Sequence, residues 1–201
     1  MPLYGSSPAS EDSLTAAIAS ANPYSSQYAA GALAETIPAV FATTAFTPTS
    51  GDLYIWPVRL GAGESVGHVG FVTTTTAGAT LNHWWTCLCD NTYTVQATSA
   101  DQTSGAIAAS TWFSLAMGTA YTATYSGLYY LGVMISDNSG TQPTLCGSAA
   151  GPLIAMMTGT GHPNSILGGQ SSTSQTTAPA LGTVVTTPTA TAAVPYMFCT
   201  N

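Results

Sequence analysis

Residues able to do chemistry are sparse in this chain, and the first group to weigh is Gly63-Glu64-Ser65-Val66-Gly67, which spells the G-x-S-x-G of a nucleophile elbow. An elbow exposes its serine on a tight strand-to-helix turn, with a histidine to take the proton and an acid to steady that histidine. Imidazoles exist at His68, His83 and His162. The residues after the motif, His68-Val69-Gly70-Phe71-Val72-Thr73, are rich in β-branched and aromatic types. They predict a strand where an elbow needs a helix, so Gly63 and Gly67 read as turn and strand glycines.

His83, Cys87 and Cys89 fall on one face of a predicted strand, because strand side chains alternate and these positions are an even number apart. Together with Cys146 they offer the ligand types of a zinc site. Structural zinc is usually held by C-x2-4-C knuckles in turns, whereas Cys87-Leu88-Cys89 lies in an apolar run beside Trp85 and suits small core residues. A disulfide between Cys87 and Cys89 is disfavoured by the near-limiting separation of residues two apart on an extended strand. The acids, Glu11, Asp12, Glu35, Asp52, Glu64, Asp90, Asp101 and Asp137, include no pair that stands out for glycosidase acid–base work. The expectation is no catalytic residue, no metal and no cofactor, and hence a protein that is not an enzyme.

Aromatic residues are the remaining candidates for a binding role: Trp56, Trp84, Trp85, Trp112, Tyr129 and Tyr130. Most should fill a β core. Alternation sends Trp84 and Trp85 to opposite faces, and Tyr129 and Tyr130 likewise. With Leu81, His83, Trp85, Cys87 and Cys89 assigned to the core face, Trp84 and Tyr129 become the candidates for an exposed aromatic surface. Such a surface suits an interface between subunits, where Tyr and Trp are enriched, better than a sugar platform.

The elements that would position these residues follow from composition and pattern. Hydrophobic residues make up 45% of the 201 positions and charged ones only 4%, so the chain has the means to bury a core and is not disordered by composition. Arg59 is the single basic residue against eight acids, a net charge of −7. Phosphate backbones and anionic lipid surfaces are bound through clustered Lys and Arg, so nucleic acid and membrane surface are not expected partners. No run of about 18 apolar residues suggests a membrane span, and Met1 to Ser10 lacks the basic and apolar regions of a signal peptide. Four cysteines are too few and too unevenly spaced for a secreted disulfide framework, which points to buried thiols made in a reducing cytoplasm.

Three regions are expected. Residues 1–38 form an anchoring segment with a helix over about 10–21, capped by Ser10, stopped by Pro23 and striped by Leu14, Ala17, Ile18 and Ala21. Leu14 and Ile18 are its candidate docking residues. Residues 39–150 carry strands predicted at Ala39–Phe46, Asp52–Leu60, Ser65–Thr75, Thr80–Asp90, Tyr93–Thr98, Thr111–Met117, Gly127–Ser136 and Pro143–Gly147, with a turn at Asp137-Asn138-Ser139-Gly140. That number of short strands predicts an all-β fold, an antiparallel, jelly-roll-like β-sandwich. Residues 151–201, poor in aromatics until Tyr196, Met197 and Phe198, predict an extended C-terminal arm anchored by those three on its own sandwich or on a neighbouring subunit.

The stretches AGATLNHWWTCLCDN, QATSADQTSGAIAASTWFSLAM and TATYSGLYYLGVMISD resemble a β-sandwich domain of tailed phages and prophages of actinobacteria, found in minor tail, fibre or decoration-type proteins. The resemblance covers roughly residues 50 to 201 and is most specific at Thr76–Asp90, Ser99–Thr103 and Gly127–Ile135. It implies a virion structural protein assembled in the host bacterial cytoplasm, a capsid decoration or a tail or fibre component, and carries no catalytic signature. The implied partners are further copies of the chain, a homotrimer being the expected state, and other virion proteins such as the major capsid or tail protein. A host surface glycan at a tail tip is the alternative partner.

Overall fold

The computed structural model describes residues 31–149, 168–191 and 193–201; the candidate helix with Leu14 and Ile18, and His162, lie outside them. The described residues form an all-β fold. Its first strands are β1 (Ala34–Glu35), β2 (Thr44–Phe46), β3 (Leu53–Leu60), β4 (Ser65–Val72), β5 (Ala79–Cys89) and β6 (Val95–Thr98). Then come β7 (Trp112–Thr122), β8 (Gly127–Thr141), β9 (Leu145–Ala149), β10 (Gly169–Gln170), β11 (Thr189–Ala190), β12 (Ala193–Pro195) and β13 (Met197–Thr200). A 3-10 turn, Ala39–Phe41, follows Pro38 and takes the place of the first half of the strand expected over Ala39–Phe46.

Every strand pair is antiparallel. A four-stranded sheet runs β1-β13-β4-β7, a six-stranded sheet β11-β10-β3-β8-β5-β6, and a three-stranded sheet β12-β9-β2. Residues expected to form a terminal arm therefore supply β13, which lies inside the four-stranded sheet with Phe198 opposite Gly70 on one side and Glu35 on the other.

Strands β3, β5 and β8 carry bulky side chains on both faces, and both faces are buried. On one, Tyr54, Val58, Trp84, Leu88, Tyr129, Leu131, Val133 and Ile135 share a cluster with Val69, Phe71 and Met197 of the four-stranded sheet and Phe46 and Leu145 of the three-stranded one. On the other, Leu53, Ile55, Trp85, Cys87, Cys89, Tyr130 and Met134 pack with Val185 and Ala178. The chain from Gly168 to Thr186 covers this second face and bonds to the sheet at both ends. Leu53 N–H donates to Ser172 C=O and Ser171 N–H to Leu53 C=O on one side; Val95 N–H donates to Thr183 C=O and Val185 N–H to Tyr93 C=O on the other.

The turn expected at Asp137–Gly140 is not one. Strand β8 runs through it, pairing Asp137 with Leu81 and Thr141 with Ala79, and the ladder absorbs the mismatch in two bulges. Gly140 is glycine because the neighbouring backbone passes so close: a Cβ there would sit 2.1 Å from the Ala79 carbonyl oxygen.

Candidate interaction surface

Trp84 and Tyr129, expected outside the core, are both inside it. Alternation does part them from Trp85 and Tyr130, but each pair straddles a sheet that is covered on both sides. Trp84 Nε1–H donates to the Gly105 carbonyl at 2.8 Å and its ring meets Phe71 and Phe113 edge-on. Tyr129 stacks on Tyr125 with ring centroids 4.8 Å apart and donates its hydroxyl to the Tyr125 carbonyl. Neither ring can meet a ligand or a partner without opening the core.

Of the aromatic residues weighed for a binding surface, Trp112 is the exposed one, 56% exposed at the start of β7; Phe41, at the end of the 3-10 turn, is exposed as well. Register places Val72 and Trp112 side by side, then Gly70 with Ser114, then His68 with Ala116. These alternate with Phe71–Phe113 and Val69–Leu115, whose Phe71 and Val69 belong to the core, so Trp112, Ser114 and Ala116 point to the opposite, outer face. Tyr196 and Phe198 lie there too: their rings stand 5.7 and 5.4 Å from that of Trp112. Both are buried, as is Met197, which joins the core on the inner side. The Tyr-Met-Phe trio thus secures β13 within its own chain. Tyr196 donates its hydroxyl to Glu35 Oε1 at 2.6 Å, and burial, then the neighbouring carboxylate, raises the phenol's pKa.

The residues weighed for chemistry stand apart. Ser65 opens β4 opposite Thr122, so a strand follows the G-x-S-x-G segment, as its composition predicts. His68 lies on the same strand with Nδ1 3.3 Å from the Asn201 main-chain oxygen. His83 is elsewhere, its Nδ1 2.7 Å from Asp101 Oδ2, and this is the one ion-pair geometry among the described residues. Sequence reading missed that partnership because Asp101 reaches β5 from the irregular segment after β6, and neither residue type nor spacing signals the approach.

Cys87 and Cys89 are buried, unbridged, with sulfurs 4.0 Å apart. Cys146 lies in β9, donating to the Ala42 carbonyl at 3.0 Å. The mutual hydrogen bond with Cys87, then burial, raises the Cys89 thiol well above its ordinary range, and burial pushes Cys199 up to about 12. Thiols held protonated in this way are poor nucleophiles and poor metal ligands. No cluster of three or more His, Cys, Asp or Glu side chains converges among the described residues.

No family model matches the chain, and no curated protein or solved structure matches it.

Proposed function

We propose that this protein is a bacteriophage virion structural protein on the particle surface, a capsid decoration or a tail or fibre component, which acts by protein–protein assembly. In this reading the four- and six-stranded sheets serve as the two layers of a jelly-roll-like sandwich. The carrying observation is the charge deficit: eight acids and one Arg across 201 residues. A monomer dispersed in water ordinarily carries mixed surface charge at about a quarter to a third of its surface, whereas a subunit in a repeating coat can lay neutral Thr, Ala and Gly surface against its neighbours. The resemblance of residues 50 to 201 to actinobacteriophage tail, fibre and decoration domains points the same way. Sedimentation of particles from the virus that encodes the chain, followed by peptide mass spectrometry, tests it; the chain is expected to co-purify with intact particles, and its absence from them removes the reading.

A second reading, a tail-tip module that binds host surface glycan, is favoured by one observation, the exposed Trp112 ring backed by Tyr196 and Phe198. Flat sugar faces stack on such rings. Here Trp112→Ala is expected to abolish cell adsorption and any glycan-array signal while leaving particle assembly intact.

A further inference from the structure

The outer face of the four-stranded sheet can be laid out from its registers. Val69, Phe71, Met197 and Cys199 belong to the core, with Phe113 and Leu115 packed against it, so the residues that alternate with them face out. Three rows result: Val72 beside Trp112; Glu35, Phe198, Gly70 and Ser114 across all four strands; Thr200, His68 and Ala116. Phe198 lies over Gly70, where a Cβ would sit 2.4 Å from its ring. With glycine, serine and alanine in the rows beyond it, the indole of Trp112 stands at the end of a low strip that runs along β7 to Ala116. Four residues of strand give that strip a length of about 13 Å, longer than one pyranose ring. The indole is exposed and yet held, by Tyr196 edge-on and by Phe198 at a tilt, both of them buried. Ser114 is exposed and offers a hydroxyl. His68 is half-buried, and its Nδ1 faces the Asn201 main-chain oxygen at 3.3 Å, which leaves Nε2 as the acceptor.

We infer that this strip binds a neutral glycan chain, one sugar ring stacked on Trp112 and the following rings laid along β7 with their hydroxyls on Ser114 and His68. The inference rests on the glycan reading above and gives that site its extent and its class of ligand. Charge selects the class. The carboxylate, sulfate and phosphate groups of acidic glycans are held by Arg and Lys, and this face has neither: Arg59, the single basic residue, lies in β3 of the six-stranded sheet. The chain's net charge of −7 repels such groups besides. The acid of this face, Glu35, stands on β1 at the far side from β7 and accepts the Tyr196 hydroxyl. Size argues against a protein in the same place. A half-exposed indole beside a hydroxyl and a methyl group is far short of the roughly 800 Å² that a stable protein contact takes from each partner. Nor can a further strand extend the sheet along all of β7, since Thr98 and Ser99 of the same chain lie beside Gly118 and Met117. A surface so small and so mixed suits a ring stacked on indole with hydroxyl groups bonded next to it.

Quenching of tryptophan fluorescence by caesium ion reads this site alone, because Trp56, Trp84 and Trp85 are buried and Trp112 is exposed. The full chain is titrated with galactose, glucose and mannose, with linear oligosaccharides of each, and with oligogalacturonates, whose rings carry a carboxylate in place of the hydroxymethyl group. At least one neutral series is expected to shield Trp112, its oligomers binding several-fold more tightly than its monosaccharide, while oligogalacturonates leave the quenching unchanged. Ser114→Ala is expected to weaken the oligomers about 2–10-fold, the loss of one hydrogen bond, and to leave the monosaccharide as it was. Trp112→Ala is expected to remove binding of both, read by calorimetry, with the circular dichroism of the folded protein retained in both variants. Equal shielding by oligogalacturonates overturns the neutral class, and oligomers no tighter than their monosaccharide, or unmoved by Ser114→Ala, overturn the strip; in either case the glycan reading stands. Absence of shielding by every neutral series overturns the inference outright. Cell adsorption lost on Trp112→Ala then keeps the glycan reading, and adsorption unchanged removes that reading too.

Discussion

At the scale of single residues, the polar groups that matter most are those whose acceptors or donors are all engaged. Asp90 closes the β5–β6 connection: its Oδ1 accepts from Thr92 N–H, Thr92 Oγ1–H and Thr94 N–H, and its Oδ2 from Gln96 Nε2–H at 2.7 Å. Partial burial alone would raise this carboxyl, but the hydrogen bonds from Thr92, Thr94 and Gln96 outweigh it and hold its pKa below the ordinary value. A depressed carboxyl stabilises the fold above the unfolded pKa of about 3.9 and loses that contribution as pH falls through the folded value. Asp90→Asn is expected to cost about 1 kcal/mol at pH 7, and the difference from wild type should fade below about pH 3.9 in urea melts. A difference that grows on acidification contradicts the assignment.

Gly132 shows steric demand of a different origin. A Cβ there would meet Cys87 Sγ at 2.5 Å, with Ile55 and Leu53 close behind. Gly132→Ala is expected to destabilise by about 1–3 kcal/mol. Adding Cys87→Ala should recover part of that loss, a coupling that a double-mutant cycle by thermal melting reads directly.

At the scale of elements, β8 lies between β3 and β5 in the middle of the six-stranded sheet, and the two faces of β5 and β8 explain which readings of the sequence succeed. Alternation along Leu81–Cys89 is legible and separates Trp84 from Trp85 correctly. What sequence pattern does not reveal is that both faces are covered, because the cover comes from Gly168–Thr186, a Thr-, Ser- and Ala-rich segment without a strong period of its own. With one face taken to be bare, alternation points Trp84 and Tyr129 outward, yet their face packs against Val69, Phe71 and Met197 of the four-stranded sheet. Sequence pattern hides the β8 extension through Asp137–Gly140 because Asp, Asn and Gly signal a turn locally, and only the approach of Ala79 and Leu81 makes them strand. Most other strands sit within a few residues of where branched and aromatic runs place them, as at Leu53–Leu60 and Gly127–Ser136.

The covering segment should behave as part of the fold. Val185 is buried against the face that carries Trp85 and Tyr130, and Val185→Ala is expected to cost about 1.5–2 kcal/mol. Hydrogen exchange offers a second check: the amides of Ser171, Val95 and Val185, all bonded across the boundary between cover and sheet, should be protected to a similar degree as those of β5. Fast exchange at Ser171 and Val185 beside slow exchange in β5 contradicts a packed cover.

At the scale of the whole molecule, stability has to come from apolar burial and backbone hydrogen bonds, since the described residues hold one ion-pair geometry, His83 with Asp101. Raising sodium chloride from about 0.05 M to about 1 M shortens the screening length severalfold, yet the melting temperature is expected to move only slightly, and upward, as the surplus of acids is screened. A pronounced fall would mean that ionic contacts stabilise the fold. The same neutrality is what the assembly proposal builds on, because a subunit with so little charge presents large surfaces that water does not strongly hold and another protein can cover.

The most direct test of the proposed virion role is a cryo-electron-microscopy map of the intact particle to which that proposal assigns the chain, searched for density matching the three-sheet fold. The account predicts repeated copies on the outside of capsid, tail or fibre, contacting one another or the underlying shell through their uncharged surfaces. Particles that lack the chain altogether, alongside a soluble monomer in infected cells, contradict it.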